Sequence, residues 1–246
     1  MVFRLEGERY HTALLGMLAL VGVGAVLFAT HRGLGIGTES IYYITAARNL
    51  LSGYGLSDDI SSSGEAVPMV ISPPLFPVML AAIVGFGVEL LVAAKWLNAV
   101  LFGANILSVG LLIKRYAGKP TGVAVFGSAL MLTSVDMLSI HSWAMSEPAF
   151  IFFGLLGVLL LDVYFGNREW RLLVAASGAV ALAFLTRYVG VTLVAAGIAG
   201  IILRRGESWS RRTTEGAIFA LGSCIPMGVW GIRNLLLTGH MTDSLI

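Results

Sequence analysis

Residues 12–30, TALLGMLALVGVGAVLFAT, run for 19 positions without a charged side chain. At 1.5 Å rise per residue such a helix crosses a hydrocarbon core about 30 Å thick, where a backbone must satisfy its own hydrogen bonds. The run exceeds the roughly 7–15 apolar residues of a secretory signal, and no convincing small-x-small cleavage site precedes His31. We read it as a retained transmembrane helix. Further apolar runs predict spans at 90–113, 121–138, 148–165, 171–187, 188–203 and 216–236. As one helix, residues 172–203 would be about 48 Å long. They are therefore expected to form two short passes that turn near Arg187, with Gly190 as the breaker.

Composition fits this reading: charged residues make up 12% of the chain, against about 25% in an ordinary soluble domain. The expected fold class is an all-α polytopic membrane protein, with membrane lipids as its surroundings. Sixteen basic and 14 acidic side chains give a net charge of +2, too little and too dispersed for a nucleic-acid surface. Cys224 stands alone within an apolar run, so it has no intrachain disulfide partner and reads as packing. The segment 76–87 is only 12 residues long and follows Pro73-Pro74, which suits a short interfacial or re-entrant helix better than a full pass.

Basic residues orient the spans. With a cytoplasmic N-terminus and 76–87 not crossing, Arg4, Arg9, Lys114, Arg115, Lys119, Arg168, Arg171, Arg204, Arg205, Arg211 and Arg212 fall inside. Arg32, Arg48, Lys95, Arg187 and Arg233 fall outside or near the outer face. This bias is what the positive-inside rule asks for, and it favours seven passes over eight. The expected location is the plasma membrane, with the long polar stretch 31–75 outside the cell.

That stretch carries Glu39, Asp58, Asp59 and Glu65 between the first apolar helix and all the others. Within it, GTESIYYITAARNLLSGYGLS predicts an interfacial helix capped by Thr38 or Ser40 and ended by Gly53 and Gly55. Ile41, Ala46 and Leu50 with Tyr42 and Tyr43 would form its apolar side. Glu39 falls in the first turn, where the helix dipole favours an ionised carboxylate. It reads either as a general base or as a favourable first-turn acid. Asp58 and Asp59 are adjacent loop acids and only a weak signal for a divalent metal, so no metal site is indicated.

A second outer cluster lies in SVDMLSIHSWAMSEPAF, residues 134–150. It holds Asp136, His141 and Glu147, with Glu147 before Pro148 in a helix-start arrangement. Arg187 and Arg233 approach the same face from the apolar interior. Arginine at membrane depth is costly and marks functional sites, and its fork suits phosphate.

The pieces TESIYYITAARNLLSGYG, ISPPLFPVMLA, SEPAFIFFGLLGVLLL, ALAFLTRYVGVTLV and WGIRNLLLTG, in this order and spacing, resemble the GT-C glycosyltransferases that use polyprenyl-phosphate sugar donors. The similarity is to the branch of protein mannosyltransferases and aminoarabinose transferases. It implies a GT-C-like helix bundle and transfer of a sugar from polyprenyl phosphate to a hydroxyl of a protein, lipid or glycan. In that family a first-loop carboxylate, usually aspartate, is the base; matching ESIYY to that motif places the role on Glu39. Glutamate here stands in place of the usual aspartate, with a longer side chain. The resemblance further implies an inverting mechanism, with Arg187 or Arg233 offsetting charge on the leaving phosphate. Asp58, Asp59, Asp136, His141 and Glu147 join them as candidate substrate contacts, and no cofactor is indicated, a divalent metal staying open. Members of the family continue into further helices and a soluble domain, so this chain resembles the N-terminal part of a longer protein. Two other readings remain: a noncatalytic subunit in envelope glycan assembly, and a transporter, the latter drawing on Gly154, Gly157, Gly197 and Gly200.

Overall fold

The computed structural model describes residues 2–61, 64–116 and 121–242. Ten helices dominate: α1 (Val2–Ala29), α2 (Thr38–Leu51), α3 (Leu75–Val84), α4 (Leu90–Tyr116), α5 (Thr121–Thr133), α6 (Val135–His141), α7 (Glu147–Asn167), α8 (Trp170–Thr186), α9 (Val191–Ile202) and α10 (Trp209–Thr238). A 3-10 turn, Tyr188–Gly190, joins α8 to α9. Among the described residues four helices, α1, α4, α7 and α10, are long and apolar enough to cross a membrane, and the bent pair α5–α6 makes a fifth if it is one span. The chain is a helical multi-pass membrane protein.

Two sets of contacts gather the helix ends. On one side, Lys95 of α4 donates to the Thr30 carbonyl at 3.3 Å, and Gly35 exchanges backbone hydrogen bonds with Ser142 and Ala144, each 2.9 Å. A Cβ on Gly35 would lie 2.7 Å from the Trp143 ring, so only glycine admits this approach. Arg233 near the end of α10 reaches the same side, donating to the Leu56 and Met69 carbonyls at 2.8 Å each. On the other side, Lys114 meets Thr12, Arg115 pairs with Asp162, and Arg168 lies 3.2 Å from Glu207. Glu215 there pairs with Arg204 at 3.1 Å and Arg211 at 2.7 Å. Among the basic residues that orient the chain, Lys119 and the side chains of Arg4 and Arg9 lie outside the described residues.

Several elements differ from their expected form. The span expected at 121–138 breaks at Ser134 and bends by 62°. Ser134 is extended, its hydroxyl accepts from the Met137 amide at 3.3 Å, and Asp136 sits in the new first turn, so a local cap outcompetes helix continuation. The break near Arg187 is where the sequence places it: α8 ends at Thr186, and Arg187 is extended at φ −151°. Gly190 closes the turn against Phe184, whose Cα would be 2.5 Å from an added Cβ. At 17 and 12 residues, α8 and α9 are shorter than the roughly 20 that span a bilayer unaided.

The polar stretch is more ordered than loop acids suggest. Ser57–Ile60 (β1) and Ala66–Pro68 (β2) form an antiparallel hairpin, so Asp58 and Asp59 lie on a strand. The turn is drawn in by Gly64, at φ +84°, whose amide donates to the Ser61 carbonyl at 2.8 Å. Helix α2 forms where expected, but its N-cap is Gly37 rather than Thr38 or Ser40: Thr38 is already helical, and Ser40, three residues in, reaches back to accept from the Gly37 amide at 3.0 Å. Its inner face, however, is Ser40, Tyr43, Ala46, Ala47 and Asn49, while Ile41 points outward, 56% exposed. Helix α3 covers that inner face, with Phe76 edge-on to Tyr43 at a centroid distance of 5.2 Å.

The two contact sets, with α8 and α9 running between them, lead to a test of orientation. Single cysteines at Gly64 and Val189 are expected to react with an impermeant maleimide from outside the cell, and those at Arg205 and Arg212 only after permeabilisation. Labelling of Val189 and Arg205 from one side would rule out crossing by α9.

Candidate functional site

Three chain segments distant in sequence meet around one guanidinium. Arg187 caps the end of α8, its amide making the last helical bond to the Ala183 carbonyl at 3.1 Å while its own backbone turns extended, and its Nη1 donates to Glu147 Oε1 at 2.8 Å. The same nitrogen lies 3.3 Å from Ser146 Oγ and 3.6 Å from Glu39 Oε2. Each acid is in the first turn of its helix, Glu39 in α2 and Glu147 in α7, where unsatisfied amides favour negative charge. Pro148 in the first turn of α7 costs nothing, since its missing amide would have had no partner there.

Behind the ion pairs lies a buried hydroxyl chain. Ser146, fully buried, is 3.1 Å from the Tyr43 hydroxyl, and Ser72 lines the same cavity as this phenol. Burial pushes the Tyr43 phenol above its usual pKa, more than these hydroxyls lower it. Tyr43 therefore stays a neutral hydrogen-bonding group, and its part is to hold Ser146 and thereby the Arg187 nitrogen. In front of the cluster is a cavity of about 250 Å³ lined by Glu39, Tyr42, Ser72, Arg187 and Tyr188 among others. Glu39 is the open acid, its side chain 49% exposed against 25% for Glu147. A second cavity of about 190 Å³, lined by Gly157, Leu161, Phe165, Leu193, Gly197 and Phe219, is apolar and lies toward the opposite contact set.

Of the residues singled out in the sequence, the structure brings Glu39, Glu147 and Arg187 together. The others go elsewhere. His141 is fully buried: its Nδ1 is 2.7 Å from the Met137 carbonyl, its Nε2 is 3.1 Å from Asn105, and Phe102 packs on its ring. With Nδ1 donating and Nε2 accepting, that ring is a neutral core member with no face toward the cavity. Asp136 is exposed at the start of α6. Asp58 is half-buried and Asp59 exposed on β1, and the Asp58 charge acts on Arg233. Arg233 spends its guanidinium on the Met69 and Leu56 carbonyls and on Asn234 Oδ1 at 2.9 Å, with its plane 4.6 Å over the Trp230 ring.

Sequence reasoning missed Ser146, Ser72 and the inward role of Tyr43. The order Ser-Glu-Pro marks a helix start, but the Tyr43–Ser146 contact joins residues 103 positions apart and leaves no local pattern. Among the described residues, no group of three His, Cys, Asp or Glu side chains is placed to hold a metal. No family model, curated protein or solved structure matches this chain.

Proposed function

We propose that the chain transfers a sugar from a polyprenyl-phosphate donor to a hydroxyl acceptor at the membrane face that carries residues 31–75. The observation that carries this reading is the Glu39–Arg187–Glu147 cluster beside a cavity at that face. It pairs an open carboxylate with a guanidinium where a lipid-anchored phosphate enters from the side and a polar acceptor from water. Glu39 takes the proton of the acceptor hydroxyl; that oxygen bonds to the anomeric carbon as the bond from this carbon to phosphate oxygen breaks, and polyprenyl phosphate leaves. Attack opposite the leaving group inverts the anomeric centre.

Arg187 supports the leaving group's charge. All of its described contacts run through Nη1, so the Nε and Nη2 edge, the fork that suits two phosphate oxygens, makes no hydrogen bond to the described residues. Glu147, held at 2.8 Å, fixes the orientation of that fork. The residue roles follow the resemblance to the polyprenyl-phosphate-dependent GT-C enzymes, with glutamate standing for the usual aspartate.

The test supplies membranes containing the full chain with a panel of radiolabelled polyprenyl-phosphate-linked hexoses and pentoses. Label should move from at least one donor to a glycan, lipid or protein acceptor. Failure with the whole panel, at verified expression, would leave the site without this chemistry.

A further inference from the structure

Arg233 carries a second consequence, which rests on the proposed transfer reaction. Its side chain bridges two elements: it projects from the outer end of α10, yet both of its outward nitrogens bind backbone of the first loop. Nη1 takes the Met69 carbonyl and Nη2 the Leu56 carbonyl, each at 2.8 Å. These two residues are themselves paired, the Met69 amide donating to the Leu56 carbonyl at 3.0 Å. One guanidinium therefore clamps the open end of the β1–β2 hairpin. Its own position is fixed by Asn234 Oδ1 at 2.9 Å and by the Trp230 ring beneath it.

The clamped strand leads directly into the cavity. Met69 is fully buried, in a cluster with Ala46 of α2 and with Met227 and Trp230 of α10. The next carbonyl, Val70, accepts from the Tyr188 hydroxyl at 3.0 Å, and Ile71, Ser72 and Pro73 then line the cavity. Ser72 shares that lining with Tyr43, Glu39 and Arg187. Arg233 thus holds one end of a wall whose other contacts reach the Glu39–Arg187 cluster.

We infer that Arg233 is a positioning residue: by clamping Leu56 and Met69 it sets the 71–73 wall of the cavity and thereby the fit of the donor, without touching the reacting atoms. A neutral side chain at 233 loses both charge-assisted bonds, and a lysine, a point donor without the planar fork, keeps one at most. The wall should therefore open more in Arg233→Gln than in Arg233→Lys.

The direct measurement is the reaction of an impermeant maleimide with Ser72→Cys in the full chain, with Cys224→Ser removing the native thiol. Position 72 is only 9% exposed, so labelling reports opening of the wall. Ser139→Cys, at an exposed position of α6, is the control. Arg233→Gln should speed labelling at 72 by about tenfold or more, the loss expected when hydrogen bonds to a charged group are removed. Arg233→Lys should fall between, and labelling at 139 should not change. Unchanged labelling at 72, or an equal rise at 72 and 139, would overturn the inference. This readout needs no transfer activity, so its result is independent of whether the donor reading holds. Where transfer is measured, Arg233→Gln should raise KM for the lipid-linked donor about tenfold with kcat within about twofold, the signature of lost binding without lost chemistry. A fall in kcat at unchanged KM would place Arg233 in the chemistry instead and contradict the positioning role.

Discussion

Glu39→Gln is expected to lower the rate of sugar transfer by about 10² to 10⁴, the range that general-base assistance contributes. The amide keeps the shape of the carboxylate but takes no proton from the acceptor at neutral pH. It also removes one negative charge 3.6 Å from Arg187, a half-exposed pair whose loss costs little stability. Activity and folding should therefore separate: the variant should reach the membrane in normal amount and bind donor, yet turn over poorly. Glu39→Asp restores the acid and withdraws it by one methylene, and should retain far more activity than the amide. If Glu39 served only as a favourable first-turn acid, both variants would lose about 0.3–1 kcal/mol of stability and little activity. Turnover at equal folded amounts distinguishes the two cases.

Arg187→Gln should have the second largest effect. Two carboxylates share its Nη1, so its removal leaves Glu39 and Glu147 facing each other with no cation between them and withdraws the proposed partner of the leaving phosphate. Losing one such electrostatic group typically costs about 10² to 10³ in kcat. Here the carboxylates should also repel a phosphate-bearing donor, so KM should rise as well. Arg187→Lys keeps the charge without the fork, and should recover part of kcat while donor affinity stays weak. Steady-state kinetics across donor concentrations check both variants. Wild-type kcat and KM in the glutamine variant would remove Arg187 from the site.

What was legible in the sequence was local. Glu39 at the start of a helix inside the polar stretch, Ser-Glu-Pro at the start of α7 and the break at Arg187 each follow from first-turn acids and proline or from an apolar run too long to continue. Those three features hold the three charged side chains that meet in the structure. Roles fixed by long-range contacts were not legible. Arg233 and Arg187 look alike in sequence, as arginines at the edge of apolar helices. Only the fold shows that one is committed to backbone carbonyls 164 and 177 residues away while the other lines the cavity. His141, an interfacial type by position, is drawn into the core because Asn105 and the Met137 carbonyl satisfy both ring nitrogens. The inner face of α2 differs from the expected one because Ser40 and Asn49 are turned inward to hydrogen-bond while Ile41 is left outside. In a membrane the lipid-facing and bundle-facing sides of a helix are both apolar, so hydrophobic periodicity says little about which face packs.

The site's place on the membrane and its chemistry meet in one measurement. Full-length chain is incorporated in sealed vesicles with known orientation, and a radiolabelled polyprenyl-phosphate sugar with its acceptor is supplied on one face at a time. Transfer should occur when donor and acceptor are on the face carrying residues 31–75 and should fall by about 10² or more in Glu39→Gln on that face. Transfer from the opposite face, or transfer on the loop face that ignores the loss of Glu39, would contradict the account.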